Sequence, residues 1–210
     1  MKHIPLLLII VLLVSCNMGK SGKSQDNEKP VIAVTIEPQR YFTEAIAGDK
    51  FDVISIVPKG QLDLALTGSV PAVVNQESIE DQQLNSQGDS KAYLRIGYIG
   101  FEQVWMDRLI DNTPHIQIFD TSKDIDLILG EAHDHGDHQH AGGVEPHIWN
   151  STNNALIIAR NTYKALCQLD KENEAYYLNR YDSLCQRIMH TDSIIRKTLQ
   201  QPGTTQSFMI

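Results

Sequence analysis

Cysteine is scarce in this chain: three residues in 210, at positions 16, 167 and 185, with no C-x-x-C pair among them. That usage excludes a zinc ribbon and a thioredoxin-type redox motif. Cys167 and Cys185 both fall in helical patterns, where a small buried thiol is the simplest reading. A disulfide between them stays open if the chain is exported. Basic excess is missing too. Lys and Arg number 18 against 26 Asp and Glu, a net charge of -8, whereas a nucleic-acid partner would want a basic face. No apolar run reaches the roughly 20 residues that span a bilayer. Residues 62–90 hold no histidine and no cysteine, so that stretch offers no nitrogen or sulfur ligand.

What is present begins with Ile4 to Val14, an almost wholly apolar run after a short polar start. Its length is that of a signal-peptide core. It closes on Leu13-Val14-Ser15-Cys16, which resembles a bacterial lipobox, so residues 1–16 are expected to be a lipoprotein signal with Cys16 as the lipidated residue. Residues 17–29, rich in Gly, Ser, Lys, Gln and Asn, read as a flexible tether. The expected location is the periplasmic side of a bacterial envelope, anchored to a membrane through Cys16.

The folded part opens at Pro30. Val31 to Ile36 is a β-branched run without alternation, as in a strand buried on both faces of a parallel sheet. Arg40 to Ala47 has helical spacing and is stopped by Gly48, and Phe51 to Val57 is a second strand. Gln76 to Leu84 allows a polar helical turn. Ala92 to Ile96 reads as a strand, Phe101 to Ile110 as an amphipathic helix, and Ile116 to Phe119 as another strand. Alternating strands and helices define an open, mostly parallel α/β lobe over residues 30–150, whose ligands belong at the carboxyl ends of the strands. Asn150-Ser151 can cap a helix from Thr152, and Asp170 can cap a second helix that runs uninterrupted to Pro202. About 28 residues at 1.5 Å each give a helix of about 40 Å, longer than one small domain needs. Residues 151–201 form this helical segment, and residues 202–210 read as the start of a further strand.

The chemistry concentrates between Glu131 and Trp149. Five of the eight histidines lie there, at His133, His135, His138, His140 and His147, interleaved with Asp134 and Asp137. Neutral imidazole is the commonest metal ligand near neutral pH, and carboxylates add oxygen ligands. A divalent metal is the expected partner, zinc first and Mn2+ as the alternative. His115 and His190, by contrast, read as surface or packed residues.

A lipobox, an α/β lobe, a His- and Asp-rich loop, the motif Glu145-Pro146-His147-Ile148-Trp149 and then long helices together resemble the metal-binding solute receptors of bacterial ABC importers, of the zinc and manganese type. The family motif is usually D-P-H-x-W, and its histidine ligates metal between two lobes, so the resemblance assigns that role to His147. It further implies two α/β lobes joined by one long helix, delivery of the metal to an ABC permease, and a loosely metal-collecting loop at His133, His135, Asp137, His138 and His140. Two departures stand out. The histidine motif that the family carries after its second strand has no match beyond Pro58-Lys59-Gly60-Gln61. The family's remaining ligands lie in a second lobe, at whose first strand this sequence stops; as it stands, the resemblance implies a truncated member with an incomplete site.

Two other readings compete. One is a lipid-anchored zinc buffer or metallochaperone acting through the His-rich loop alone. The other takes His133-x-His135-x-Asp137-His138 as the H-x-H-x-D-H signature of metallo-β-lactamase-type zinc hydrolases. That enzyme needs a further histidine and a bridging acid on later β-elements, and after His147 only His190 remains, inside a long helical pattern. The expectation is therefore a binding protein and not an enzyme.

Overall fold

The computed structural model describes residues 29–57, 59–60, 90–129 and 144–201. Within these residues the chain forms strand β1 (Val31–Val34), helix α1 (Glu37–Ala47) and strand β2 (Asp52–Ser55). Strand β3 (Ser90–Arg95), helix α2 (Gly100–Asn112) and strand β4 (Gln117–Asp120) follow. After residue 144 come a 3₁₀ turn (Ile148–Asn150), helix α3 (Thr152–Leu169), a second 3₁₀ turn (Lys171–Asn173) and helix α4 (Glu174–Leu199). The residues expected to form a polar turn at 76–84, the His-rich loop and the start of a strand near 207 lie outside the described residues.

The strands pair in the order β2-β1-β3-β4 and every pairing is parallel. Parallel sheets require cover on both faces, and the central strand shows it: all four residues of β1 are buried. Ile32, Ala33, Val34, Ala92, Tyr93 and Leu94 have no exposed surface and form the middle of the core. The chain moves outward from β1 to β2, then returns to the other side of β1 with β3. The reversal puts a topological switch point at the carboxyl ends of β1 and β3, the position where open α/β sheets present their binding crevice.

Helix α1 begins earlier than its apolar spacing suggests. Pro38 lies in the first turn, where its missing N–H is not needed and its fixed φ suits the helix, so it opens the helix instead of preceding it. Gln39, Phe42, Thr43, Ile46 and Ala47 form the buried face, spaced as one stripe of a helix. Ser151 caps α3 as expected, its hydroxyl accepting the Asn154 N–H. Asp170 does not cap the last helix directly. It ends α3, a 3₁₀ turn intervenes, and its carboxylate instead accepts Asn173 Nδ2 at 2.7 Å and the Tyr177 hydroxyl at 2.6 Å. Helix α4 is 26 residues long, about 39 Å. Its first half packs on α1 and α3 through Tyr177 and Leu184, while Met189, Ile194, Ile195 and Leu199 further along are about half exposed.

A second contact fixes α4 to the lobe. The Tyr176 hydroxyl donates to Asp49 at 2.8 Å, and Lys50 and Arg180 lie 5.3 and 5.5 Å from its ring centroid. Gly48 makes room for this cluster. Its φ of +60° with ψ of -123° suits glycine alone, and a Cβ there would meet the Tyr176 hydroxyl at 2.1 Å.

The two helical cysteines are free, and the hairpin geometry explains why. Tyr163 on α3 stacks on Tyr181 of α4 with centroids 5.1 Å apart. Cys167 and Cys185 each lie one turn beyond their tyrosine, but α3 and α4 run in opposite directions. The thiols therefore separate by about eight residues of axial rise, roughly 12 Å, too far for a disulfide. Burial pushes both thiols above their ordinary pKa.

Two outcomes follow from this packing. Gly48→Ala is expected to destabilise the fold by about 1–3 kcal/mol through backbone strain, read as a lowered urea midpoint; an unchanged midpoint would contradict the contact. In the chain lacking residues 1–29, Ellman's reagent under denaturing, non-reducing conditions is expected to titrate both remaining thiols. A result near zero would mean that they pair.

Candidate metal centre

His147 is held by its neighbours on both sides. The segment that leads to it is pinned to the stretch after β4 by the antiparallel bridge Leu129–Val144 and by the Glu145 N–H, which donates to the Ile128 carbonyl at 2.9 Å. The segment that leaves it is anchored by Ile148, which is 5 % exposed and part of the core. His147 itself starts the 3₁₀ turn, its carbonyl accepting the Asn150 N–H at 3.1 Å. This arrangement sets one imidazole on a fixed base, followed at once by a capped helix.

The ring has two restraints of its own. Nδ1 lies 2.5 Å from Glu145 Oε1, and the same oxygen accepts the His147 backbone N–H at 3.0 Å. Those two hydrogen bonds hold the Glu145 carboxyl below its usual range, the side-chain bond contributing most. Trp149 meets the ring edge-on, with centroids 5.4 Å apart at 62°. The His147 side chain remains 42 % exposed, and it opens on a cleft of about 500 Å³ that Asp126, Ile128, Asn150 and Asn154 also line. An ionised carboxylate accepts hydrogen bonds and donates none. In the neutral ring the contact places the proton on Nδ1 and leaves Nε2 as the nitrogen with a lone pair, the arrangement found around metal-ligating histidines.

Of the other sequence-derived candidates, Cys16, His133, His135, Asp137, His138 and His140 lie outside the described residues. The Leu129–Val144 bridge joins the two points where the His-rich stretch leaves and re-enters the described chain. Among the described residues no group of three or more His, Cys, Asp and Glu side chains is placed to hold a metal ion. His115 and His190 are exposed, the first in the turn before β4 and the second on α4. No strand follows Val144 among the described residues, so nothing described there supplies the later β-elements that the hydrolase signature requires. No helix of the described residues is long and apolar enough to cross a membrane.

At the switch point itself is a polar cluster with no metal-like character. Glu102, in the first turn of α2, is 2 % exposed. Its two oxygens accept the N–H groups of Ile96 and Gly97, both at 2.7 Å, and the Thr35 hydroxyl donates to it as well. Thr35 also bonds the buried Tyr93 hydroxyl at 2.6 Å, and Gln39 links the Thr35 N–H to the Thr121 hydroxyl, each at 3.0 Å. The turn that supplies the two N–H groups is unusual: Gly97 and Tyr98 both have positive φ, +74° and +59°. Arg95 Nε stands 3.6 Å from Glu102 and 3.7 Å from Asp120, ion-pair distances beyond a hydrogen bond. The cluster ties the carboxyl ends of β1, β3 and β4 into one rigid edge. Sequence inspection passed over Glu102, which looks like an acid complementing a helix dipole. The one signal for it was an acid placed just after a strand and a Gly-bounded turn.

A four-stranded parallel α/β lobe with a carboxylate-held histidine, continued by a long helix, defines the fold class. The chain belongs to the ZnuA family, described as zinc-uptake complex component A, periplasmic, whose profile matches residues 32–209. It is similar to the manganese ABC transporter substrate-binding lipoprotein PsaA of Streptococcus anginosus, 31% identical over 175 residues that cover 82% of this chain and 52% of that protein. It is also 31% identical over 173 residues to the iron ABC transporter substrate-binding lipoprotein MtsA of Streptococcus pyogenes serotype M1, covering 81% of this chain and 51% of that protein. The crystal structure of ZnuA shares the fold with a TM-score of 0.65 at 24% identity, over 82% of this chain and 61% of that one. The chain thus spans about half the length of the curated relatives it matches.

The buried Glu102 generates a pH effect on stability. Desolvation raises its pKa above the ordinary 4.5, against the hydrogen bonds from Thr35, Ile96 and Gly97. The folded state therefore keeps the proton to a higher pH than the unfolded chain. The contribution is complete below the ordinary value and is lost as pH rises through the folded value. Urea midpoints from about pH 4 upward are expected to show the native chain losing stability relative to Glu102→Gln across that window. A difference independent of pH would contradict the assignment.

Proposed function

We propose that this chain is the metal-capturing part of an extracytoplasmic receptor for divalent ions, Zn2+ before Mn2+, that hands its cargo to an ABC permease. The observation that carries this reading is His147: an exposed imidazole on a fixed base, its Nδ1 occupied by Glu145 and its Nε2 left for a ligand. Family membership supports the metal and the permease. The family description names zinc, but the relatives above are named for manganese and iron, so the choice among ions rests on chemistry. Imidazole-rich sites suit zinc, whereas manganese prefers oxygen ligands, and the stretch from Glu131 to His147 carries five histidines. Binding by ligation needs no nucleophile or general base, so the chain is read as a receptor and not an enzyme.

Zinc sites take three or four protein ligands. In this reading His147 contributes one, and His133, His135, Asp137, His138 and His140 supply looser binding from the loop. Cys16 carries the lipid that keeps the receptor at the membrane, residues 17–29 form the tether, residues 30–150 the lobe, 151–201 the helical segment and 202–210 the start of a further lobe. The zinc-buffer reading draws on the four histidines of the loop itself, His133, His135, His138 and His140.

Calorimetric zinc titration of the chain lacking residues 1–29 tests the proposal. Deleting 131–140 is expected to remove weak equivalents, and His147→Ala to weaken what remains. Affinity should fall in both as pH is lowered, because protons compete with metal for imidazole. Identical titrations for all three proteins would refute a metal role, and loss of all binding with the loop alone would favour the buffer.

A further inference from the structure

The geometry points to Glu145 as the positioning residue of this site: it fixes the tautomer and ring orientation of His147, so that Nε2 is presented to the ion before the ion arrives. This rests on the reading of His147 as a ligand and deepens it. In water a histidine ring has two interchangeable tautomers and free rotation about its side-chain bonds, and only some of those states offer Nε2 outward. Here one oxygen, Glu145 Oε1, takes both the ring Nδ1–H at 2.5 Å and the backbone N–H of the same residue at 3.0 Å. The double contact references the ring to its own main chain. Trp149 packs on the same ring in a T-shaped contact, with centroids 5.4 Å apart. Glu145 is in turn held through its backbone N–H to Ile128, so the clamp belongs to the lobe and not to a free loop. The glutamate makes both contacts across the single intervening residue Pro146.

A partner of this kind typically contributes 10–100-fold to metal affinity. The carboxylate does not need to touch the ion to have that effect. It removes the competing tautomer and holds the ring in the orientation that presents Nε2.

The test has a readout that needs no metal. Long-range ¹H–¹⁵N spectra of the ¹⁵N-labelled chain are recorded at about pH 8.5, above the ordinary imidazole range, with His147→Ala used to assign the ring. The expected result is a bare Nε2 and a protonated Nδ1 in the native chain and in Glu145→Asp. Glu145→Ala is expected to shift His147 toward the Nε2–H form, with an unchanged urea midpoint showing that the fold persists. A native ring already in the Nε2–H form, or a tautomer indifferent to Glu145→Ala, would overturn the inference. Zinc titration of the same proteins separates the two levels of the reading. Zinc affinity 10–100-fold weaker in both Glu145→Ala and His147→Ala supports both. Weakening in His147→Ala alone overturns the positioning role while leaving the ligand. No weakening in either overturns the ligand reading, and with it the role of Glu145.

Discussion

Short parallel strands cannot stand alone. β1, β2 and β4 are four residues each, and a parallel pairing requires a crossover segment and a covered face for every strand. The structure satisfies that demand with Ile32, Val34, Tyr93 and Leu94 in the sheet, the apolar faces of α1 and α3 on it, and Tyr177 and Leu184 bringing in α4. The strand ends pose the opposite problem, because their backbone donors are buried without a strand to pair with. Glu102 answers it by accepting from Ile96 and Gly97 and linking them through Thr35 to Tyr93. Burying that carboxyl costs desolvation, seen in its raised pKa, and the compensation is a strand edge that does not fray.

The candidate site is linked to that rigid edge at one remove. His147 shares a cleft with Asp126 and Ile128, which lie beyond the turn that follows β4, and β4 ends beside the tied edge through Thr121, whose N–H donates to the Arg95 carbonyl at 3.0 Å. A buried isoleucine immediately after the histidine, a carboxylate before it and a capped helix beyond leave the ring little freedom. One well-held imidazole is one candidate ligand, and it lines a cleft. In the proposed reading His147 is one directed ligand beside that cleft, and a zinc site of three or four protein ligands needs others as well.

Much of the lobe was legible because its signals are local. A β-branched run announced β1, apolar spacing announced the helices, and Ser151 before Thr152 announced the start of α3. Boundaries failed where a residue has two opposite uses. Pro38 reads as a breaker but opens α1, and Asp170 reads as a helix cap but bonds Tyr177 and Asn173 across a 3₁₀ turn. Within the candidate site, His147 was visible as a candidate through its motif. The grip of Glu145 was not, since a contact two residues apart depends on a backbone turn that residue types do not specify. Glu102 was illegible for a similar reason: two of its partners are the backbone N–H groups of Ile96 and Gly97, in a turn where Gly97 and Tyr98 have positive φ.

The central claim, that His147 meets the cargo through Nε2, is tested most directly by anomalous diffraction from crystals of the zinc-loaded chain. A zinc peak about 2.0–2.1 Å from His147 Nε2, with the contact from Nδ1 to Glu145 intact, is the result expected. A peak on Nδ1 with Glu145 displaced, or zinc bound only away from His147, would contradict it.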